Sequence, residues 1–175
     1  MRTFFLILAC ATHLAAHADG LGFKGVELGS ALSRVASDPR RECHAVNTPF
    51  GDTICGLRPN EKETIAGAPV VSLFYFYDVD HLTAIQVTIS EKSFGPVVAA
   101  LTAKYGAGVL NVEKVQNLKG VSFENRTYLW TRTGSSLQAL RYSGSLDKSL
   151  IRYSDEGALR RLRLRRANKD PNMDL

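Results

Sequence analysis

Residues 70–77 form an unbroken apolar and aromatic run, Val-Val-Ser-Leu-Phe-Tyr-Phe-Tyr. A run of this length, rich in β-branched and aromatic side chains, predicts a largely buried strand. Asp78-Val79-Asp80-His81 reads as the turn that follows it. From Leu82 to Ser90 the chain alternates: Thr83, Ile85, Val87 and Ile89 fall on one side, Ala84, Gln86 and Thr88 on the other. Period two with one apolar face predicts a half-buried strand. The two runs together predict an antiparallel hairpin.

Before this hairpin, Ser30 is placed to cap a short helix through Leu32, Val35 and Ala36, closed by Pro39. Arg40 to Pro59 reads as loop, with short strands at Thr53–Leu57 and Glu63–Ala66. After the hairpin, Phe94, Val97, Val98, Leu101 and Tyr105 make the apolar stripe of a second helix. Ser93 caps it, Pro96 sits in its first turn, and Gly106 or Gly108 ends it. Strands follow at about 109–117, 121–132, 136–143 and 149–153, with turns at Gly120, Gly134 and Gly144. Trp130 and Tyr128 share a face and are expected to anchor this sheet on the helix. Each half, about 23–90 and 93–154, is thus a helix followed by antiparallel strands. The connections are too short for parallel crossovers, so the expected class is α+β. The expected packing joins both halves edge to edge, with helices on one face of the sheet. A terminal basic helix follows, capped by Ser154 and ended by Pro171.

The first residues change the cellular picture. Arg2, the apolar stretch Phe4–Ala9 and the small-x-small triplet Ala16-His17-Ala18 read as a signal peptide, 1–18, cleaved before Asp19. The apolar run is too short to span a bilayer. The alternative is a lipoprotein signal with lipidated Cys10, against which Leu8 is bulky where a small residue is usual. Cleavage leaves Cys43 and Cys55, an even pair that reads as a disulfide in an exported protein. A zinc site using Cys43, His44 and Cys55 would lack a nearby fourth ligand. The expected location is the periplasm or the medium.

The 175 residues suit one domain and are too few for an α/β barrel. Hydrophobic residues at 45% and charged residues at 22% exclude wholesale disorder. The net charge of +5 is not spread evenly. Residues 19–156 hold 15 basic and 15 acidic side chains, while 157–175 hold six basic and two acidic. Basicity is therefore a property of the tail, where Arg160, Arg161, Arg163, Arg165 and Arg166 suit an anionic surface or an acidic protein. A plain solvated helix is the competing reading. Leu159 and Leu162 would share one helix face.

Catalytic signatures are sparse. No Gly-x-Ser-x-Gly or His-Glu-x-x-His occurs. Ser145-Leu146-Asp147-Lys148 and Arg132-Thr133-Gly134 stand in the reverse of the order that penicillin-recognising enzymes use. Gly106-Ala107-Gly108 follows a helix rather than opening one, which argues against a phosphate loop. His81 with Asp78 and Asp80 could hold a cation, but aspartates at a tight turn ordinarily accept backbone hydrogen bonds. His44 reads as a loop residue. No catalytic, cofactor or metal residue is expected, and nucleic acid is an improbable partner outside the cytoplasm. In the aromatic run, either Phe74 and Phe76 or Tyr75 and Tyr77 face the core. An open face with Tyr75 and Tyr77 would be a natural protein-binding surface.

The Leu28-Gly29-Ser30 step into a short helix, a second helix ending Lys104-Tyr105-Gly106, and antiparallel strands after each resemble small exported bacterial domains. The nearest architectures are β-lactamase-inhibitor-protein-like domains and the small outer-membrane assembly lipoproteins, whose layout covers most of 23–154. The resemblance implies an interaction module without catalysis and carries no functional residue over. The chain departs from the lipoprotein group in its lipid-attachment cysteine. The expected function is a non-enzymatic binding or accessory protein of the bacterial envelope. The alternatives are a secreted inhibitor of a lysozyme or protease, and a small hydrolase with an unrecognised site.

Overall fold

The computed structural model describes residues 20–116 and 119–169. The signal segment with Cys10, and Pro171 at the far end, lie outside the described residues. The described residues begin with a small hairpin, β1 (Gly22–Phe23) and β2 (Val26–Glu27), then α1 (Ser33–Ala36). β3 (Arg41–Thr48), β4 (Gly51–Leu57), β5 (Thr64–Ile65), β6 (Ala68–Asp78) and β7 (His81–Ser90) follow. A 3-10 turn (Glu91–Ser93) leads into α2 (Phe94–Tyr105). The second half continues through β8 (Val109–Gln116), β9 (Ser122–Arg132), β10 (Ser135–Leu140) and β11 (Lys148–Asp155) to α3 (Glu156–Lys169).

The main sheet is antiparallel in the order β3-β4-β6-β7-β11-β10-β9-β8, with β5 paired to β6. The two halves do meet edge to edge, through β7 and β11. The expected α+β class is overturned: strands make up 51% of the described residues and helices 22%, so this is a β protein with a few short helices. Two causes account for the difference. The expected strand at Thr53–Leu57 is present as β4, but the residues before it, read as loop, form β3 and pair with it in a hairpin. The polar composition of β3 hid it, because it is an edge strand with a single buried residue and half of its residues exposed. The first helix shrinks to four residues, and Ser30 does not cap it. The Ser30 hydroxyl donates to the Glu27 carbonyl at 2.6 Å, and the Leu32 amide is taken by Asp80 Oδ1 at 2.6 Å.

The helices also divide between the two faces. Cross-strand partners share a face, so register assigns the layers. Tyr75 pairs with Ile85 and Ile85 with Tyr153; Val87 pairs with Leu73 and Ile151, and Leu137 with Trp130. This face carries the main core, closed by α2 through Val97, Leu101 and Tyr105 and by Leu21, Phe23 and Val35. Trp130 anchors the sheet on the helix as expected: its indole N–H donates to the Gly106 carbonyl at 2.7 Å, and Tyr128 stacks beside it. Gly108 is required there, since a Cβ would lie 2.7 Å from the Trp130 ring. On the opposite face, Phe76 pairs with Ala84 and carries Phe50, which in turn stacks on Arg152. α3 covers this second, smaller layer with Ala158, Leu159 and Leu162, all buried.

The β3–β4 turn depends on close backbone approach. A Cβ at Gly51, the first residue of β4, would sit 2.0 Å from the Tyr77 carbonyl, near the end of β6. Gly51→Ala should therefore force the two strands apart. We expect a loss of about 3 kcal/mol, a fall in Tm of roughly 6–12 °C by thermal melt.

Candidate interaction surface

Cys43 and Cys55 face each other directly across β3 and β4 and form a disulfide, with Cα atoms 4.0 Å apart. Cys55 is fully buried beside Tyr75, so the cross-link fastens an edge strand to the core. A loop with this separation of 12 residues is worth about 3 kcal/mol in the chain-entropy model. His44 stands on the other side of β3, exposed, 3.9 Å from Glu42.

Tyr75 and Tyr77 are not a surface. They are 1% and 0% exposed, on the core face. Burial pushes the Tyr75 hydroxyl up to about 12 and Tyr77 higher still. Alternation places Phe74 on the other side at 38% exposure. The sequence could not choose between these pairs, because the run is apolar at every position.

The β6–β7 turn sends its three polar side chains to three different partners. Asp80 accepts the Leu32 amide, Asp78 pairs with Arg165, and His81 Nε2 lies 2.8 Å from Asp155 Oδ2. They do not converge on a cation. Asp155 Oδ1 accepts the Ala158 amide at 2.8 Å, so Asp155, not Ser154, caps α3. The turn, His81, Ala158, Arg161 and Leu164 enclose a cleft of about 670 Å³. No serine, threonine or cysteine lines it among the described residues.

The basic tail is a docked helix rather than a free one. Arg166 donates to the Thr48 and Gly51 carbonyls at 2.6 and 3.2 Å, closing the β3–β4 turn, and Arg165 holds Asp78. Arg160, Arg161 and Arg163 are exposed and have no ion-pair partner among the described residues. Two of the five arginines thus serve the fold, and three face solvent.

Sequence reasoning missed the far edge of the sheet. β8 pairs with β9 along its whole length, from Val109 with Leu129 to Gln116 with Ser122, without a bulge. No described strand pairs with its outer edge. Its side chains are exposed on both faces: Val109 (72% exposed) beside Leu129 on one, Leu110 and Val112 on the other. Unpaired N–H and C=O groups flanked by apolar side chains form a template for another strand. The opposite edge, β3, is blunted by a register shift between Ala45 and Thr48, by the disulfide and by charged side chains. The signal available in the sequence was the valine content of 109–115, readable as a strand but silent on whether a neighbour covers it. No helix among the described residues is long and apolar enough to cross a membrane.

The docking of α3 separates cleanly by mutation. Leu162→Ala should cost about 3 kcal/mol by opening a cavity under the helix. Arg160→Glu with Arg163→Glu should leave Tm within about 2 °C, as exposed charges contribute little. Thermal melts of both variants check this.

No protein-family model, curated protein or solved structure matches this chain.

Proposed function

We propose that this chain is an exported, non-enzymatic binding module of the bacterial envelope that takes a protein partner by adding its strand to β8. The carrying observation is the straight, uncovered apolar edge of β8, set against the protected edge at β3. Strand addition draws affinity from main-chain hydrogen bonds and selectivity from alternate side chains. The alternating Val109, Asn111, Glu113 and Val115 on one face, with Leu110, Val112 and Lys114 on the other, supply such a code. The disulfide supports an oxidising compartment.

The edge itself is the test. Val112→Lys places a charge where the added strand would lie, the device that natural edges use against pairing. Crosslinking in envelope preparations should capture one endogenous partner with the parent chain and at least tenfold less with Val112→Lys, at unchanged Tm. Equal capture by both overturns the edge reading. Selective capture of an added lysozyme or protease would favour the inhibitor reading.

A second reading, a small hydrolase, draws on one observation: His81 beside Asp155 in an open cleft. A His–carboxylate pair can activate water. It stands second because Asp155 already caps α3 and the cleft supplies no nucleophile. Ester or peptide hydrolysis abolished by His81→Gln at unchanged Tm would promote it.

A further inference from the structure

Arg41 is the most deeply buried cation of the described residues, its side chain 4% exposed. It lies over the Tyr75 ring, 5.4 Å from the centroid. Glu63 meets its Nη2 at 3.3 Å and Asp38 its Nε at 3.5 Å. Both carboxylates are shared. Arg40 takes Asp38 through Nη2 at 2.9 Å, and Lys24 takes Glu63 at 3.3 Å. Hydrogen bonds from Arg40 hold the Asp38 carboxyl down at about 2. Against the opposing effect of burial, the Thr64 amide and Lys24 likewise lower the Glu63 carboxyl, so both acids stay ionised at neutral pH.

These groups line one cleft of about 350 Å³, joined by Arg34. Four cations face two carboxylates there, an excess of two positive charges. Arg34 has a single long contact, its Nη2 to the Gly25 carbonyl at 3.5 Å. Arg41 Nη1 is buried and has no hydrogen-bond partner among the described residues. Buried polar groups are ordinarily satisfied, so an orphaned guanidinium nitrogen in a polar cleft marks a vacancy for an acceptor.

We propose that this cleft binds a small carboxylate, gripped by Arg41 and Arg34. Guanidinium groups recognise the planar, two-oxygen geometry of carboxylates. The resident Asp38 and Glu63 limit the charge that can enter, which favours a mono- or dicarboxylate over a more highly charged anion. The cleft is at the small end of ligand sites, suiting a few heavy atoms or the free C-terminus of a peptide. The site belongs to the β3 end of the sheet, far along the strand order from β8, and does not rest on the edge reading.

The test is a thermal-shift and calorimetric titration of the full chain at pH 7. The titrants are acetate, succinate, inorganic phosphate, and a short peptide with free or amidated C-terminus, each matched in ionic strength with sodium chloride. The expected result is saturable binding of a carboxylate at millimolar or tighter affinity, weakened at least tenfold by Arg34→Ala. Arg34 is exposed, so this variant should fold normally. Arg41→Lys, which keeps the charge and loses the fork, should weaken binding likewise. Binding of acetate or succinate identifies a free acid as the ligand source, and binding of the free-ended peptide alone identifies a chain terminus. A response no larger than that to chloride, tighter binding of phosphate than of any carboxylate, or affinity unchanged in Arg34→Ala would overturn the proposal.

Discussion

Seven consecutive residue pairs between β7 and β11 hold the two halves of this protein together. Each half is a meander of neighbouring strands, and neither half closes on itself. Only the seam makes one sheet of them. On the core face it aligns Ile85 with Tyr153 and Val87 with Ile151; on the other it sets Gln86 beside Arg152 and Ala84 beside Ser154. The partners lie about 60 to 70 residues apart in sequence, so the seam carries the loop-closure entropy of a long-range pairing. In return it puts β7, the strand with the most buried side chains, between two neighbours.

That central seam decides what is left outside. With β7 and β11 in the middle, β3 and β8 become the two edges. They are managed differently. β3 has a register shift, a cross-strand disulfide and Glu42 and His44. β8 has regular pairing and valines on both faces. An uncovered edge of that kind is a liability in a solitary protein and a resource in one with a partner. Similarly, the buried cation Arg41 opens β3 at the foot of the first half, where Lys24, Asp38 and Glu63 come together from three separate connections.

Much of the framework was legible because period and composition agreed. The 68–90 hairpin announced itself by an apolar run followed by strict alternation. α2 announced itself by its stripe and closing glycine. Polar edges were not legible: the residues of β3 carry no hydrophobic face, so pattern alone read them as loop. The cap of the first helix was illegible for another reason. Its N-terminal amide is satisfied by Asp80, 48 residues away, which no local capping rule can see. The inward choice of Tyr75 and Tyr77 was ambiguous for want of a polar side. Of the site residues, the disulfide was legible from compartment and count, and the tail arginines from charge. Their division into two that brace turns and three that stay free required the docking of α3. The Arg41 cluster was invisible, since its acids lie on different connections.

Asp155, Arg165 and Arg166 link the last helix to the β3–β4 and β6–β7 turns, while Leu159 and Leu162 cover the layer around Phe50. Chain length is thereby written into surface chemistry. A copy shortened before residue 156 would keep its seam yet bare Phe76 and Ala84 and leave the β3–β4 turn unbraced. Such a copy would present to proteases an apolar surface and a loosened backbone that the docked helix otherwise covers.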